Sequence, residues 1–413
     1  MLKKIISIGK KRDFLETLMV IGLRLVSIGV GFAFIKIYTN NLTTEQLGKY
    51  FYLITLSYLM NALIFVPVDY YIQARLALSG KDIPLKALLR LNRKVCFSAI
   101  ILCLAFGLPL SYFGKIKILD LAGIYGTALF LYLCNFSRGL LNNRGHKIFV
   151  VNMLVLESAL KIGLFLLAAV YFSASADLLL YSSVVALALE MLLIVFYFYK
   201  KLSYNWRDEG IETYRTVIKK SYALSIGAVC NLAQLQFYRL MYVWAGAPAT
   251  AAIYTVVTNL GASGMGAISS VYSQIFLPKI YASKGKYTLT YIRNALLLAG
   301  FVGVGAAIFG QYTLMLLTKN DYVQYAQVIS YGVLVEAGNM VIGAATVFLM
   351  LKNASKIMIF YNIGAAIVSV LSGFVVMTYW PENVFLIGVP IALSQIFIAA
   401  FLMMHIARFD TKE

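Results

Sequence analysis

The chain has 413 residues, 61% hydrophobic and only 13% charged, with a formal net charge of +19. A mean hydropathy of +0.81 and about half the charge of an average soluble domain exclude a soluble enzyme and predict a polytopic membrane protein. The basic residues stand in short clusters between apolar runs, which reads as membrane topology and excludes a nucleic-acid partner.

The N-terminus, MLKKIISIGKKR, is basic and precedes the apolar stretch LETLMVIGLRLVSIGVGFAFIK. That run is too long for a signal peptide and ends in IYTNN without a small-residue cleavage site, so it is expected to be a retained first span. It carries Arg24 near its middle and Lys36 at its far end. A guanidinium is costly in hydrocarbon and faces a protein interior or a wet cavity.

Apolar runs recur at about 14–38, 47–68, 88–113, 118–140, 147–172, 177–199, 218–244, 250–276, 290–316, 323–350, 356–379 and 383–406. The expectation is an all-α protein of twelve transmembrane helices. The longest loop is polar, so the chain divides into 1–200, a cytoplasmic linker at 201–217, and 218–413. With the N-terminus inside, 28 of the 36 Lys and Arg fall on the cytoplasmic side and five on the other. This bias places both termini in the cytoplasm.

The two six-span halves resemble each other. Tyr50 precedes Ser79-Gly80-Lys81 by the interval that separates Tyr254 from Ser283-Lys284-Gly285. Lys115 matches Lys319, and NRGHKIFVVNM (143–153) matches KNASKIMIFYNI (352–363), with Lys147 facing Lys356. A parallel repeat of this kind predicts two six-helix bundles around a central cavity, related by a pseudo-two-fold axis along the membrane normal.

Eight charged residues stand in or beside the spans: Arg24, Lys36, Asp69, Glu157, Lys161, Glu190, Arg239 and Glu336. Glu157 and Lys161 are spaced i, i+4 and either neutralise each other or face the cavity. Asp69 follows Pro67 and is expected at the interface. Glu190 and Glu336 lie mid-span without a local cation, so each is neutral, paired across helices, or a coupling-ion site. Arg24 and Arg239 keep their charge, and with Lys36 and Lys161 they make a cationic cavity suited to an anionic, phosphate-bearing substrate.

Cys96, Cys103, Cys134 and Cys230 lie in apolar runs and read as small buried hydrophobes. With His146 and His405 near loops, no metal site is expected. There is no Walker A loop and no hydrolase pattern, so neither a cofactor nor an enzymatic activity is expected. The Gly-rich GASGMGAISS (261–270) reads as close helix packing or a bend.

The first span with its loop, LRLVSIGVGFAFIKIYTNNLTTEQLGKY, resembles the Wzx-type polysaccharide flippases of the multidrug/oligosaccharidyl-lipid/polysaccharide exporter superfamily. Arg24 and Gly48-Lys49-Tyr50 stand where that family has its first-span arginine and Gly-x-Tyr. Arg239 followed by AGAPATAAIYTVV is similar to the returning motif, with Ile253-Tyr254 in place of Gly-x-Tyr. FSRGLLNNRGHKIFVVNMLVLESALKI (136–162) resembles the loop into span five. The resemblance implies an inner-membrane flippase with an undecaprenyl-diphosphate-linked oligosaccharide as substrate, an O-antigen or capsule repeat unit. It also implies alternating access coupled to H+ or Na+, with a polysaccharide polymerase and a chain-length regulator as partners in the bilayer. On this reading Arg24 and Arg239 hold the diphosphate, Lys36 assists, and Glu157, Glu190, Glu336 or Asp69 carries the coupling ion. The alternatives are a multidrug exporter of the same superfamily and a membrane glycosyltransferase or polymerase.

Overall fold

The computed structural model describes the backbone of residues 2–78, 83–201, 204–206, 211–352, 354 and 357–410, with side chains from Leu18 onward at most positions. Ser79-Gly80-Lys81 and Lys356, which carry part of the repeat, and residues 202–203 and 207–210 of the 201–217 linker lie outside the described residues.

Helix α1 runs Leu2–Asn41, about 60 Å at the usual rise, so it extends well beyond the expected span at 14–38. Helix α2 starts at Thr44, where Thr43 and Gln46 form a reciprocal capping box that satisfies two otherwise orphan amides. It runs Thr44–Met60, widens through a π-helical turn at Asn61–Phe65 and continues Val66–Leu78. Pro67 lacks an N–H and cannot close a regular turn, and the wide turn lets the helix pass it unbroken. Helices α3 (Leu85–Tyr112), α4 (Asp120–Asn143), α5 (Lys147–Tyr171) and α6 (Ala176–Lys201) follow.

The second part of the chain contains α7 (Tyr214–Trp244), α8 (Pro248–Ala282), α9 (Thr288–Leu317) and α10 (Ile329–Leu351), with a 3-10 turn Asn320–Val328 leading into α10. Helix α11 covers Ile357–Tyr379, and α12 covers Gly388–Asp410 after a 3-10 turn at Val384–Ile387. Pro248 opens α8 at its first turn, where its missing N–H costs nothing. Lys284 and Gly285 both take positive φ between α8 and α9, which makes the Ser283-Lys284-Gly285 signature a tight turn. One short parallel pairing joins β1 (Ile83–Pro84) to β2 (Tyr204–Asn205).

Ten helices among the described residues, not the expected twelve, are long and apolar enough to cross a membrane. The two remaining stretches, α4 and α7, are helical but polar. Helix α4 carries Asp120, Asn135, Ser137 and Arg138, and α7 carries Asn231, Gln234, Gln236 and Arg239. Much of α4 is buried against other helices, and Asp120, Ser137 and Arg138 meet protein there, whereas Asn135 is exposed.

Helix α1 lies along α5, α8 along α10, α7 along α11, and α2 against both α7 and α8. Glycines set several of these approaches, as expected where helices gain little from the hydrophobic effect on association. Gly48 faces the Pro248 carbonyl and Gly332 the Thr258 carbonyl, each with no room for a Cβ. The largest buried cluster draws on both parts of the chain at the end marked by Lys36: Tyr38, Leu47, Tyr50, Tyr238, Tyr254, Leu314 and Ile391. Toward the opposite end the buried clusters separate. One holds Met265, Ile292, Val341 and Phe348, and another Phe65, Val95, Tyr132 and Leu140.

Candidate substrate site

A cavity of about 400 Å3 lies between helices α1 and α8. Its walls include Ile21, Arg24, Ile28 and Gly31 of α1, Leu154 of α5, and Ser263, Gly266 and Ser270 of α8. Small residues on α8 make the space, so the Gly-rich stretch 261–270 serves the cavity as well as packing. Arg24 is its only charged lining residue among the described residues. The side chain is exposed, and its Nη1 donates to Ser270 Oγ at 2.7 Å. No carboxylate pairs with it among the described residues. An exposed, unneutralised guanidinium in a pocket of this size presents a forked donor set to an oxyanion.

The other expected cations stand elsewhere. Lys36 donates to the carbonyl oxygens of Thr318 and, at 3.3 Å, Met315, where the C-terminal end of α9 leaves its last carbonyls open. Arg239 is 8% exposed and lies in the packed seam between α7 and α2. Its Nε donates to Tyr238 Oη at 3.2 Å, and its Nη1 donates to Gln236 Oε1 at 3.2 Å and Thr55 Oγ1 at 3.5 Å. The Phe51 ring lies 5.4 Å away. Every one of these partners is neutral. Lys161 donates to Glu157 Oε1 at 2.5 Å, the i, i+4 pair anticipated from spacing.

Arg138 was not anticipated as part of the site. It is buried on α4, and its Nη2 reaches Glu157 Oε2 at 2.7 Å and Glu190 Oε2 at 3.2 Å. Arg138, Glu157, Lys161 and Glu190 thus form a neutral four-residue network across α4, α5 and α6. Its sequence context, FSRGLLNNRGHK, reads as the start of a basic loop, and only the length of α4 brings it inside.

Glu336 of α10 accepts from Ser269 Oγ at 3.0 Å and Asn339 Nδ2 at 3.1 Å, and meets no cation among the described residues. Ser269 and Gly266 connect it to the α8 wall of the cavity. Asp69 accepts from Gln73 Nε2 at 2.6 Å. At the Lys36 end, Asp177 binds both Lys49 and Lys117, the latter at 3.1 Å, and Asp120 accepts from the Lys117 amide at 2.9 Å.

No family model and no curated protein matches the chain. Solved structures do match along nearly its full length. The lipid II flippase MurJ, in an inward closed conformation, is 12% identical with a TM-score of 0.74, covering 95% of this chain and 87% of its own. An outward-facing MATE-family multidrug resistance transporter of the MOP superfamily is 13% identical with a TM-score of 0.63, covering 96% of each chain. A MOP superfamily transporter from Pyrococcus furiosus, described by the reverse polarity of its binding pocket, is 14% identical with a TM-score of 0.58, covering 94% and 95%. This multi-pass membrane protein therefore has the fold shared by the MATE transporters of the MOP superfamily and the lipid II flippase.

Proposed function

We propose that the chain is a flippase that moves an undecaprenyl-diphosphate-linked oligosaccharide from the cytoplasmic to the periplasmic leaflet of the inner membrane. The observation that carries this reading is the Arg24 cavity, whose charged lining among the described residues is a lone guanidinium. A diphosphate-sugar head cannot cross hydrocarbon and needs a polar, cationic route, while its lipid tail stays in the bilayer beside the opening between α1 and α8.

In this reading α4 and α7 also cross the membrane, giving twelve spans in two bundles, 1–200 and 218–413, with both termini cytoplasmic. The Lys36 end is periplasmic, so the seam is sealed outside and parted inside. The state is inward-facing, ready to load. Of the four candidate carboxylates, Glu157 and Glu190 are engaged by Arg138 and Lys161. Glu336, which touches the α8 wall and has only neutral partners, is the best placed to carry a coupling H+ or Na+. A multidrug exporter of the same fold would take cationic compounds, which the lone arginine disfavours. A glycosyltransferase or polymerase reading finds no clustered catalytic side chains at the cavity.

The test is complementation of a deletion strain, read as surface polysaccharide and as lipid-linked repeat units retained on the inner leaflet. Arg24→Gln removes charge-assisted bonds worth about 1.5–3 kcal/mol, so transport falls about 10–100-fold at normal protein level. Arg24→Lys retains part of it. Equal transport by both variants and wild type would sink the phosphate-holding role.

A further inference from the structure

Arg239 presents a problem that the inward-facing state does not resolve. A guanidinium this deeply buried is normally paired with a carboxylate, yet Arg239 has three neutral hydrogen-bond acceptors and an aromatic face. Two of its partners, Thr55 and Phe51, belong to α2, on the other side of the seam. Burying a charge without an ionic partner carries a desolvation cost that neutral acceptors offset only in part. Its cost is explained if an anion reaches it in another state.

Position along the membrane supports this. Arg24 lies 17 residues before the end of α1 at Asn41, whereas Arg239 lies five before the end of α7 at Trp244. Both helices finish at the Lys36 end, so the two guanidinium-bearing positions are separated along the membrane normal by about 18 Å. They do not share one cavity, because Arg239 is absent from the walls of the Arg24 pocket.

We propose that Arg239 is a second oxyanion station, covered in this state and exposed when α7 and α2 part at the periplasmic end. The phosphate group loads on Arg24 and is taken over by Arg239 as the seam opens. Withdrawal of α2 removes Thr55 and Phe51 from the guanidinium and frees its donors for phosphate oxygens. The inference rests on the flippase reading and adds to it an order of two sites, in place of a single cationic lumen.

The experiment combines inorganic pyrophosphate binding to purified protein, by calorimetry, with complementation of the deletion strain. Arg24→Gln is expected to weaken pyrophosphate binding about 10-fold or more. Arg239→Met is expected to leave binding within about 2-fold, because the station is covered at rest, and to leave thermal stability equal or higher. Transport fails in both, and Arg239→Lys restores a part of it. Normal transport by Arg239→Met overturns the proposal, as does a loss of pyrophosphate binding equal to that of Arg24→Gln, which would mean one shared site. Failure of the flippase reading looks different: the deletion strain makes normal surface polysaccharide, and the wild-type protein does not bind pyrophosphate.

Discussion

Arg138 Nη2 lies 2.7 Å from Glu157 Oε2 on the neighbouring helix, and the same nitrogen reaches Glu190 Oε2 at 3.2 Å. One guanidinium therefore ties α4 to α5 and α6. Glu190 Oε1 and Arg138 Nε have no hydrogen-bond partner, so Glu190 depends on the Arg138 Nη2 contact alone for its pairing. Arg138→Met leaves Glu190 buried and unpaired and should destabilise the protein by about 3–5 kcal/mol. Adding Glu190→Leu removes that orphan and leaves the Glu157–Lys161 pair intact. The double variant should therefore recover at least about 1 kcal/mol relative to Arg138→Met alone. Unfolding by SDS in mixed micelles measures both, and a double variant no better than the single would show that the pairing carries little.

The glycines separate into two classes with opposite predicted effects. At Gly48 a Cβ would meet the Pro248 carbonyl, and at Gly332 the Thr258 carbonyl, both backbone atoms that cannot swing away. Gly48→Ala and Gly332→Ala should each cost about 1–3 kcal/mol by overpacking. Gly305 of α9 has nothing within 4 Å, so Gly305→Ala should stabilise by about 0.5–1 kcal/mol through helix propensity. Thermal unfolding of the three variants beside wild type distinguishes the classes, and a common sign for all three would refute the distinction.

Much of this organisation was legible in the sequence, for identifiable reasons. Arg24 and Lys36 interrupt an otherwise apolar run, and Glu157 with Lys161 follows helical spacing, so each stood out locally. The helices α4 and α7 also stand out as runs, although their composition falls short of a free-standing span; neighbouring helices cover Asp120, Ser137 and Arg138 of α4 and Gln234 and Arg239 of α7. The partners were not legible. Ser270 is 246 residues from Arg24, and Thr55 is 184 from Arg239, with no local pattern to join them. Arg138 was hidden by the basic loop that follows it. Glu190 and Glu336 looked equally unpaired in the sequence, and only tertiary packing gives Arg138 to one and neutral donors to the other.

In the connection before α7, Glu212 binds Lys220 at 2.7 Å and Arg75 at 3.9 Å. The hydrogen bond from Lys220, with some opposition from desolvation, holds the Glu212 carboxyl below its ordinary value of 4.5. A carboxyl with a lowered folded-state pKa contributes stability that is fully present above the unfolded value and is lost as pH falls through the folded one. Wild type and Glu212→Gln should therefore differ slightly in thermal stability at neutral pH and converge below about pH 4. Curves that stay parallel into acid would remove Glu212 from the account.

Lys36 offers the most direct handle on the conformational equilibrium. Its ammonium joins α1 to the carbonyls of Met315 and Thr318 at the end of α9. A cation at a helix C-terminus is worth about 0.3–1 kcal/mol, and in the proposed alternating-access cycle this contact breaks when the seam opens at the Lys36 end. Lys36→Gln should shift the population toward the outward-open state by about 2–5-fold, whereas Lys36→Arg should leave it nearly unchanged. Thr39 is a suitable reporter, because it is 1% exposed and its hydroxyl bonds only to carbonyls of its own helix. In a background with Cys96, Cys103, Cys134 and Cys230 replaced, Thr39→Cys should be labelled by a membrane-impermeant maleimide added on the face where Lys36 lies, the periplasmic face in the proposed topology. Labelling should be faster with Lys36→Gln than with Lys36, and equal rates would show that the contact does not hold the seam.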